Sequence, residues 1–370
     1  VEALVNRDWT GRRVLVTGHT GFKGGWLALW LTAMGAKVTG LALDPPSVPS
    51  LFDAARIDAL VDHVTGDIRD AAVVHDVVRR TRPEVIFHLA AQPLVRLSYA
   101  EPVETYATNV MGTVHVLEAA RQAGGVRAIV SVTSDKCYAN REWDWPYRES
   151  DALGGHDPYS NSKACAELVT AAYRASYFGG ADAPLVATVR AGNVIGGGDW
   201  AADRLVPDLV RAFEAGAVPL IRAPDAVRPW QHVLEALGGY LLIAERLLAG
   251  ERRFADAWNF GPGDEDARPV RWIVERMRAA WAEGAAAPAI DTGPRPHEAG
   301  LLRLDSARAR TALGWRPALG LGEAIDWIVD WHKAVNDGEE ARAVTLGQIA
   351  HYAALSSRIR VSAAPAPVAA

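Results

Sequence analysis

Arg12-Arg13-Val14-Leu15-Val16-Thr17-Gly18-His19-Thr20-Gly21-Phe22-Lys23-Gly24 is the stretch that decides the fold. Its first half is a short β-branched and apolar run that reads as a buried strand, and its second half sets glycines at G-x-x-G-x-x-G spacing. Beyond it Trp26, Leu27, Trp30, Leu31 and Met34 recur at helical intervals, so the glycine turn joins a strand to an amphipathic helix. That order makes a phosphate cradle, because backbone N–H groups at a helix N-terminus approach a pyrophosphate where any Cβ would intrude. Gly18, Thr20, Gly21, Phe22 and Gly24 are therefore candidate dinucleotide contacts. A second strand, 36–43, ends at Asp44, 20 residues beyond Gly24. A carboxylate there accepts hydrogen bonds from both adenosine ribose hydroxyls and repels a 2′-phosphate, which favours NAD over NADP.

Strand-like and helix-like segments go on alternating. Residues 61–68 form a third strand with Asp67 and Ile68 at its end, where adenine is met. Residues 85–92 form a fourth, whose Ala90 and Ala91 leave room for the cofactor. Residues 128–134 and 186–190 supply a fifth and a sixth. The alternation predicts an α/β chain with a Rossmann-type, doubly wound parallel sheet and ligands outside the strand carboxyl ends. Residues 8–190 are assigned to the NAD-binding domain. Residues 191–357 mostly form a smaller C-terminal substrate-binding lobe, with some segments returning to the first domain, and 358–370 form a disordered tail.

Composition narrows the class. With 370 residues, 49% of them hydrophobic, the chain can bury a large core. A net charge of −5 gives no general attraction to nucleic acid or an anionic membrane, so an anionic ligand must be held by local arginines. Cys137 and Cys165 are too few for a disulfide framework or a zinc site, which points to a reduced, cytoplasmic setting. No apolar stretch near 18 residues and no secretory segment stands out, so no membrane span or export is expected. No metal is expected either, since His232 and His297 lack a second ligand at metal-site spacing.

Tyr159 and Lys163 stand four residues apart at the start of a predicted helix, in Asp157-Pro158-Tyr159-Ser160-Asn161-Ser162-Lys163, and so share one face. A phenol with a reference pKa near ~10 is a poor base at neutral pH, but a lysine one turn away and a cationic nicotinamide ring both favour its phenolate. This is chemistry for taking a proton from a hydroxyl while hydride leaves the same carbon.

Taken together, Thr17-Gly18-x-x-Gly21-Phe22-x-Gly24, His88-Leu89-Ala90-Ala91-Gln92, Asn109, Ser134 and Tyr159-x-x-x-Lys163 resemble the extended short-chain dehydrogenase/reductase family that acts on nucleotide sugars. Finer features resemble its CDP-glucose 4,6-dehydratase branch: Gly18-His19-Thr20-Gly21-Phe22-Lys23-Gly24, Thr133-Ser134-Asp135-Lys136-Cys137-Tyr138, Asn140-Arg141-Glu142-Trp143 and Gly192-Asn193-Val194-Ile195-Gly196-Gly197-Gly198-Asp199-Trp200. The resemblance implies a catalytic tetrad of Tyr159, Lys163, Ser134 and Asn109. It implies Asp135 as the general acid that expels a C6 hydroxyl. Sugar-nucleotide dehydratases generally carry Asp-Glu at this point, whereas this chain has Asp135-Lys136. Lys136 is then either the base for the C5 proton or a fixed cation that stabilises an enolate or orients Asp135.

For the substrate, the resemblance implies Gln92, Ser134, Asn193, Arg204, Arg228 and Arg295 as contacts. Arginine suits a diphosphate because its planar fork pairs with phosphate oxygens. Trp143, Trp145 and Trp200 are expected in loops near the site. The implied reaction converts CDP-glucose to its 4-keto-6-deoxy product. The alternatives are GDP-mannose or dTDP-glucose dehydration, 4-epimerisation, which needs no acid/base pair after Ser134, or a non-catalytic NAD-binding sensor. Helices 103–123 and 159–178 are implied as the interface of a homodimer, or of a tetramer that contains it.

Overall fold

The computed structural model describes residues 9–293 and 300–363. In chain order its strands are β1 (Arg13–Thr17), β2 (Lys37–Ala42), β3 (Asp62–Thr65), β4 (Val85–His88), β5 (Ala128–Val132), β6 (Leu185–Ala191), β7 (Asn193–Ile195), β8 (Leu220–Ile221), β9 (Val227–His232), β10 (Ala257–Phe260), β11 (Ala267–Pro269) and β12 (Ala289–Ile290). The six strands expected from the sequence are β1 to β6. They form a parallel sheet in the order β3-β2-β1-β4-β5-β6, with β10 added beyond β6. Every residue of β4, β5 and β6 is buried, as a parallel sheet covered by helices on both faces requires. Strand order reverses between β1 and β4, and there the carboxyl ends part to leave a crevice.

The helix after β1, Phe22–Ala33, departs from the expected amphipathic pattern. All eight residues from Gly24 to Leu31 are buried. Its outer face is covered by the C-terminal helix Ala341–Ala363, with Trp30 packed edge-to-face on Tyr352 at a centroid distance of 5.7 Å. A helix apolar all round is one buried all round. The C-terminal helix also runs past the point where the tail was expected to begin at 358. Residues 364–370 lie outside the described residues.

After β6 the chain leaves the large sheet to build a second lobe. This lobe contains the sheets β11-β9-β7 and β12-β8 and the helices Leu205–Glu214, Val270–Trp281 and Leu321–Asn336. Its own core gathers Leu209, Phe213, Ile273, Met277, Ile325 and Ile328. Between its parts the chain returns to the first domain. Helix Val233–Leu248 enters the core shared with β5 and β6, and β10 pairs with β6 through Asn259 opposite Arg190. Among the described residues no helix is long and apolar enough to cross a membrane.

Where the returning helix meets the last helix, Glu235 is buried. Its carboxyl accepts bonds from the Ala318 and Leu319 amides, both at 2.8 Å, and from the Tyr352 hydroxyl at 2.9 Å. Burial still pushes its pKa up to about 7. The folded chain therefore keeps a proton that an unfolded carboxyl, with a pKa of ~4.3, has already released, and stability must fall as pH rises between those values. We expect the melting temperature to decline from pH 5 to 8 and Glu235→Gln to remove at least about 1–2 °C of that decline, the equivalent of roughly 1 kcal/mol at this chain length. Parallel melting curves for the two proteins would show that Glu235 does not titrate in this range.

Candidate active site

The crevice at the strand-order reversal has a volume of about 930 Å³ and runs between the two lobes. At its floor the glycine turn is packed to the limit of backbone contact. Gly18 has φ +78°, and a Cβ on it would lie 2.7 Å from the Ala90 amide nitrogen; one on Gly24 would lie 2.1 Å from the Gly18 carbonyl oxygen. Gly21, the N-cap of helix Phe22–Ala33, has only that carbonyl near its own Cβ position, at 3.4 Å, and no acidic residue stands in the first helical turn. Open amides, a positive helix end and no nearby carboxylate in that turn fit a pyrophosphate.

The other cofactor candidates, Thr20, Phe22, Asp44, Asp67, Ile68, Ala90 and Ala91, line the same crevice. Thr20 donates to the Leu43 carbonyl at 2.9 Å and so ties the turn to the end of β2 beside Asp44. Asp67 is engaged by Arg69, which donates from its amide and its Nε, both at 2.8 Å. Ile68 is held against Gly112, where a Cβ would come within 2.4 Å of its Cδ1.

On the opposite wall Asp157 caps helix Pro158–Ser176, accepting from the Ser160 amide at 2.8 Å, and Pro158 opens the first turn. Tyr159 and Lys163 follow on one buried face of that helix. Ser134, at the end of β5, shares a hydrogen bond with the Tyr159 phenol and donates to Asp135 Oδ1 at 2.9 Å. Asp135 is 2% exposed and its Oδ2 has no partner. Lys136 is half-buried and lines the crevice beside it.

The electrostatics differ from the sequence expectation at Tyr159. Burial pushes its phenol up to about 12, against the Ser134 hydrogen bond, so in the chain alone the neighbouring lysine does not make it a ready base. Lys163, buried and donating to the Val132 carbonyl at 3.3 Å, is brought down to about 8 by desolvation, against the negative field of Glu167. Asn109 also departs from its expected place, since it does not line the crevice. It sits in a π turn, 107–111, where its amide accepts from the Gln92 amide at 2.8 Å and donates to the Gln92 carbonyl at 3.1 Å and to Ser162 at 2.9 Å. It thus acts on the crevice through Gln92, which does line it.

From the second lobe, Asn193, Arg204 and Arg228 reach the crevice. Arg204 pairs with Asp199 at 3.0 Å, and the Arg228 guanidinium donates to the carbonyls of Val227 and Gly300 at 3.0 and 3.2 Å. Arg295 and His297 lie outside the described residues. His232, buried against Trp26 and Trp327, accepts from the Leu234 amide and caps a helix. Trp200 lines the crevice, whereas Trp143 stacks on Tyr147 away from its lining.

Two groups escaped the sequence reading. Lys23, inside the glycine turn, lines the crevice and donates to the Tyr240 hydroxyl at 3.3 Å; burial lowers it to about 7. Its signal was an ionisable residue in a turn otherwise built for close apolar packing. Asp203 bridges the lobes, accepting from Arg96 and Arg222, each at 3.1 Å. Nothing local in the sequence pairs residues so far apart.

Residues 15–327 match the family model described as GDP-mannose 4,6 dehydratase. The chain belongs to that family. A CDP-glucose 4,6-dehydratase from Salmonella typhimurium is 53% identical over 354 residues, covering 95% of this chain and 98% of the relative. Among solved structures, a dTDP-glucose 4,6-dehydratase from Streptomyces venezuelae with NAD bound is similar at TM-score 0.74 and 25% identity, over 89% of this chain and 99% of that one. The UDP-glucose 4-epimerase of Thermus thermophilus, in complex with NAD, is similar at TM-score 0.73 and 26% identity, over 86% and 98%. The crowded glycine turn yields a direct check on this GDP-mannose 4,6 dehydratase family member. Gly24→Ala must displace the Gly18 backbone, a strain of ~1–3 kcal/mol, and is expected to lower the melting temperature and abolish the thermal shift produced by added NAD. An NAD shift equal to that of the parent chain would overturn this placement of the phosphate cradle.

Proposed function

We propose that this chain is an NAD-dependent nucleotide-sugar 4,6-dehydratase that converts CDP-glucose to CDP-4-keto-6-deoxyglucose and water. The observation that carries the reading is Asp135, a buried carboxylate with one oxygen unpartnered, directly beside the Ser134 hydroxyl and followed by Lys136. A 4-epimerase has no use for an acid and base at that corner. The Salmonella relative, similar over nearly the whole chain, favours CDP-glucose over the dTDP and GDP sugars, and the NAD-bound neighbours support the cofactor.

Gly18, Thr20, Gly21, Phe22, Gly24, Asp44, Asp67, Ile68, Ala90 and Ala91 would hold NAD, which when bound supplies the acceptor for hydrogen leaving C4 and its source for return to C6. Tyr159 takes the O4 proton, with its phenolate held by the Lys163 ammonium and the Ser134 hydroxyl. Ser134 touches both Tyr159 and Asp135, so the proton has a route along the line Tyr159, Ser134, Asp135. The C4 ketone acidifies C5–H. Asp135 then protonates the departing C6 hydroxyl while Lys136 takes the C5 proton, which it gives back to C5 once hydrogen has returned to C6. General acid–base groups of this kind contribute ~10²–10⁴-fold each. Asn193, Arg204 and Arg228 supply donors for the diphosphate and sugar, and Gln92, fixed by Asn109, bounds the sugar pocket.

The same reading assigns a cytoplasmic homodimer. Val103 and Met111 on one helical run and Leu168 and Tyr177 on the other are exposed apolar residues, 78%, 47%, 58% and 55% accessible. Light scattering should give about twice the 39.7 kDa chain mass, and Leu168→Glu should shift it toward one chain; a monomeric parent chain would remove this assignment.

The deciding assay incubates the protein with NAD and, in turn, CDP-glucose, dTDP-glucose and GDP-mannose, and reads product mass. Loss of one water from CDP-glucose alone is expected, whereas a product of unchanged mass would mean epimerisation. Tyr159→Phe should lower turnover by at least ~10²-fold without unfolding the chain. Lys136→Met should let reduced nicotinamide accumulate while the dehydrated product is lost. Normal dehydration by that variant would assign the C5 base elsewhere.

A further inference from the structure

Beneath the reacting groups lies an ion pair that the proposed chemistry does not use. Glu167 stands one helical turn beyond Lys163, and its side chain and that of Arg190 on β6 are each 3% exposed. Arg190 donates to both carboxylate oxygens, from Nε at 2.8 Å and Nη2 at 2.9 Å. The remaining acceptor sites are filled by Thr133 Oγ1 at 2.5 Å and Thr188 Oγ1 at 2.7 Å. The guanidinium is itself locked, donating to the Tyr138 hydroxyl at 2.8 Å and the Glu149 carbonyl at 3.2 Å. Two charges taken this far out of water rarely add stability over a well-packed apolar pair. Their placement suggests another use, because Thr133 immediately precedes Ser134 and Asp135.

We propose that Glu167 is a positioning residue for proton transfer at Tyr159: clamped by Arg190, Thr133 and Thr188, its carboxylate fixes the Ser134 corner and stands as the counter-charge one helical turn from Lys163. The inference rests on the dehydratase reading above only for the reaction it serves; the charge on Lys163 is a property of the chain itself.

The surroundings of Lys163 leave Glu167 this task. On its own helix it is flanked by Tyr159 and Glu167. From the glycine turn it meets Lys23, which burial lowers to about 7, and from β4 it meets His88, which burial lowers to about 3 and so keeps neutral. Cys137, in the segment after β5, is buried and held as a thiol. Arg190 and Arg174 lie beyond the carboxylate and also feel its charge. Burial opposes the Lys163 ammonium, and among these groups Glu167 is the charge that sustains it. Burial works against the Glu167 carboxylate most strongly, but the Arg190 bonds and charge and the Thr133 and Thr188 bonds together outweigh it and hold its pKa below the ordinary value. The anion therefore persists through neutral pH.

The test reads Lys163 directly. The chain's lysines are few, namely Lys23, Lys37, Lys136, Lys163 and Lys333, so the Cε resonances of protein labelled with ¹³C-lysine can be assigned by single Lys→Arg variants and titrated without cofactor or substrate. In the parent chain the Lys163 midpoint is expected near 8. In Glu167→Gln it should fall by about one unit or more, a tenfold change in the charged-to-neutral ratio per unit, and Glu167→Asp should recover at least half of the fall. Because Glu167→Gln strands a buried guanidinium, the double variant Glu167→Gln, Arg190→Met supplies a neutral pair that restores folding and should show a smaller fall in the same direction, since the Arg190 charge is removed too. An unchanged midpoint in either Gln variant overturns the proposal and leaves Glu167 a structural clamp alone. A fall in a chain that fails to dehydrate CDP-glucose would keep the inference and sink the reaction assigned to the site.

Discussion

The structure depends on how closely the backbone of the glycine turn approaches the end of β4. Gly18 touches Ala90 and Gly24 touches Gly18, both nearer than a side chain would allow. Strand β1 and helix Phe22–Ala33 can only then meet β4 without a gap. That contact opens the crevice on one side, and small residues at Ala90 and Ala91 keep it open. Thr17 reinforces it from beneath, since its hydroxyl accepts from the amides of Leu89 and Ala90, each at 3.2 Å. The tight glycine turn and the strand-order reversal are in this way one feature of the packing.

The facing wall is organised by electrostatics. Tyr159, Lys163, Asp135 and Glu167 are all nearly excluded from water, so each charge there is strong and each unpaired polar atom is conspicuous. The chain by itself leaves the Tyr159 phenol high and the Lys163 ammonium low. In the reaction proposed for the site, a cationic nicotinamide ring beside them would favour the phenolate. Lys23 adds a titratable amine from the glycine turn, lowered by burial and by the Lys163 charge and raised by Asp135. The two walls are therefore coupled through charge as well as through the ligand they would share.

Much of this was legible in local patterns. Strands β1 to β6 announced themselves as apolar runs because buried parallel strands have no wet face. The glycine spacing, Asp44 and the Tyr159-Lys163 pair each lie within one element or one turn, so a few residues of sequence suffice to describe them. The amphipathic reading of helix Phe22–Ala33 failed because the face opposite the sheet is covered by a helix more than three hundred residues later, and no periodicity nearby records that partner. Strand β10 was missed for the same reason: a four-residue run, 257–260, becomes a strand only because β6 presents an open edge to it.

What the sequence determined by itself was the strand, turn and helix order, the glycine spacing after β1, the Tyr159-Lys163 spacing and the Asp135-Lys136 departure, all of which rest on residue type and short spacing. Tertiary structure decided which of these groups share a space. It moved Asn109 out of the crevice and onto Gln92, brought Lys23 in, joined Arg96 to Asp203 and Arg222 across the two lobes, and buried Glu167 against Arg190 beneath the site. Such facts depend on contacts between distant segments and on the desolvation those contacts impose. A shifted proton affinity is a property of the enclosed volume, which exists only once both lobes have closed around it.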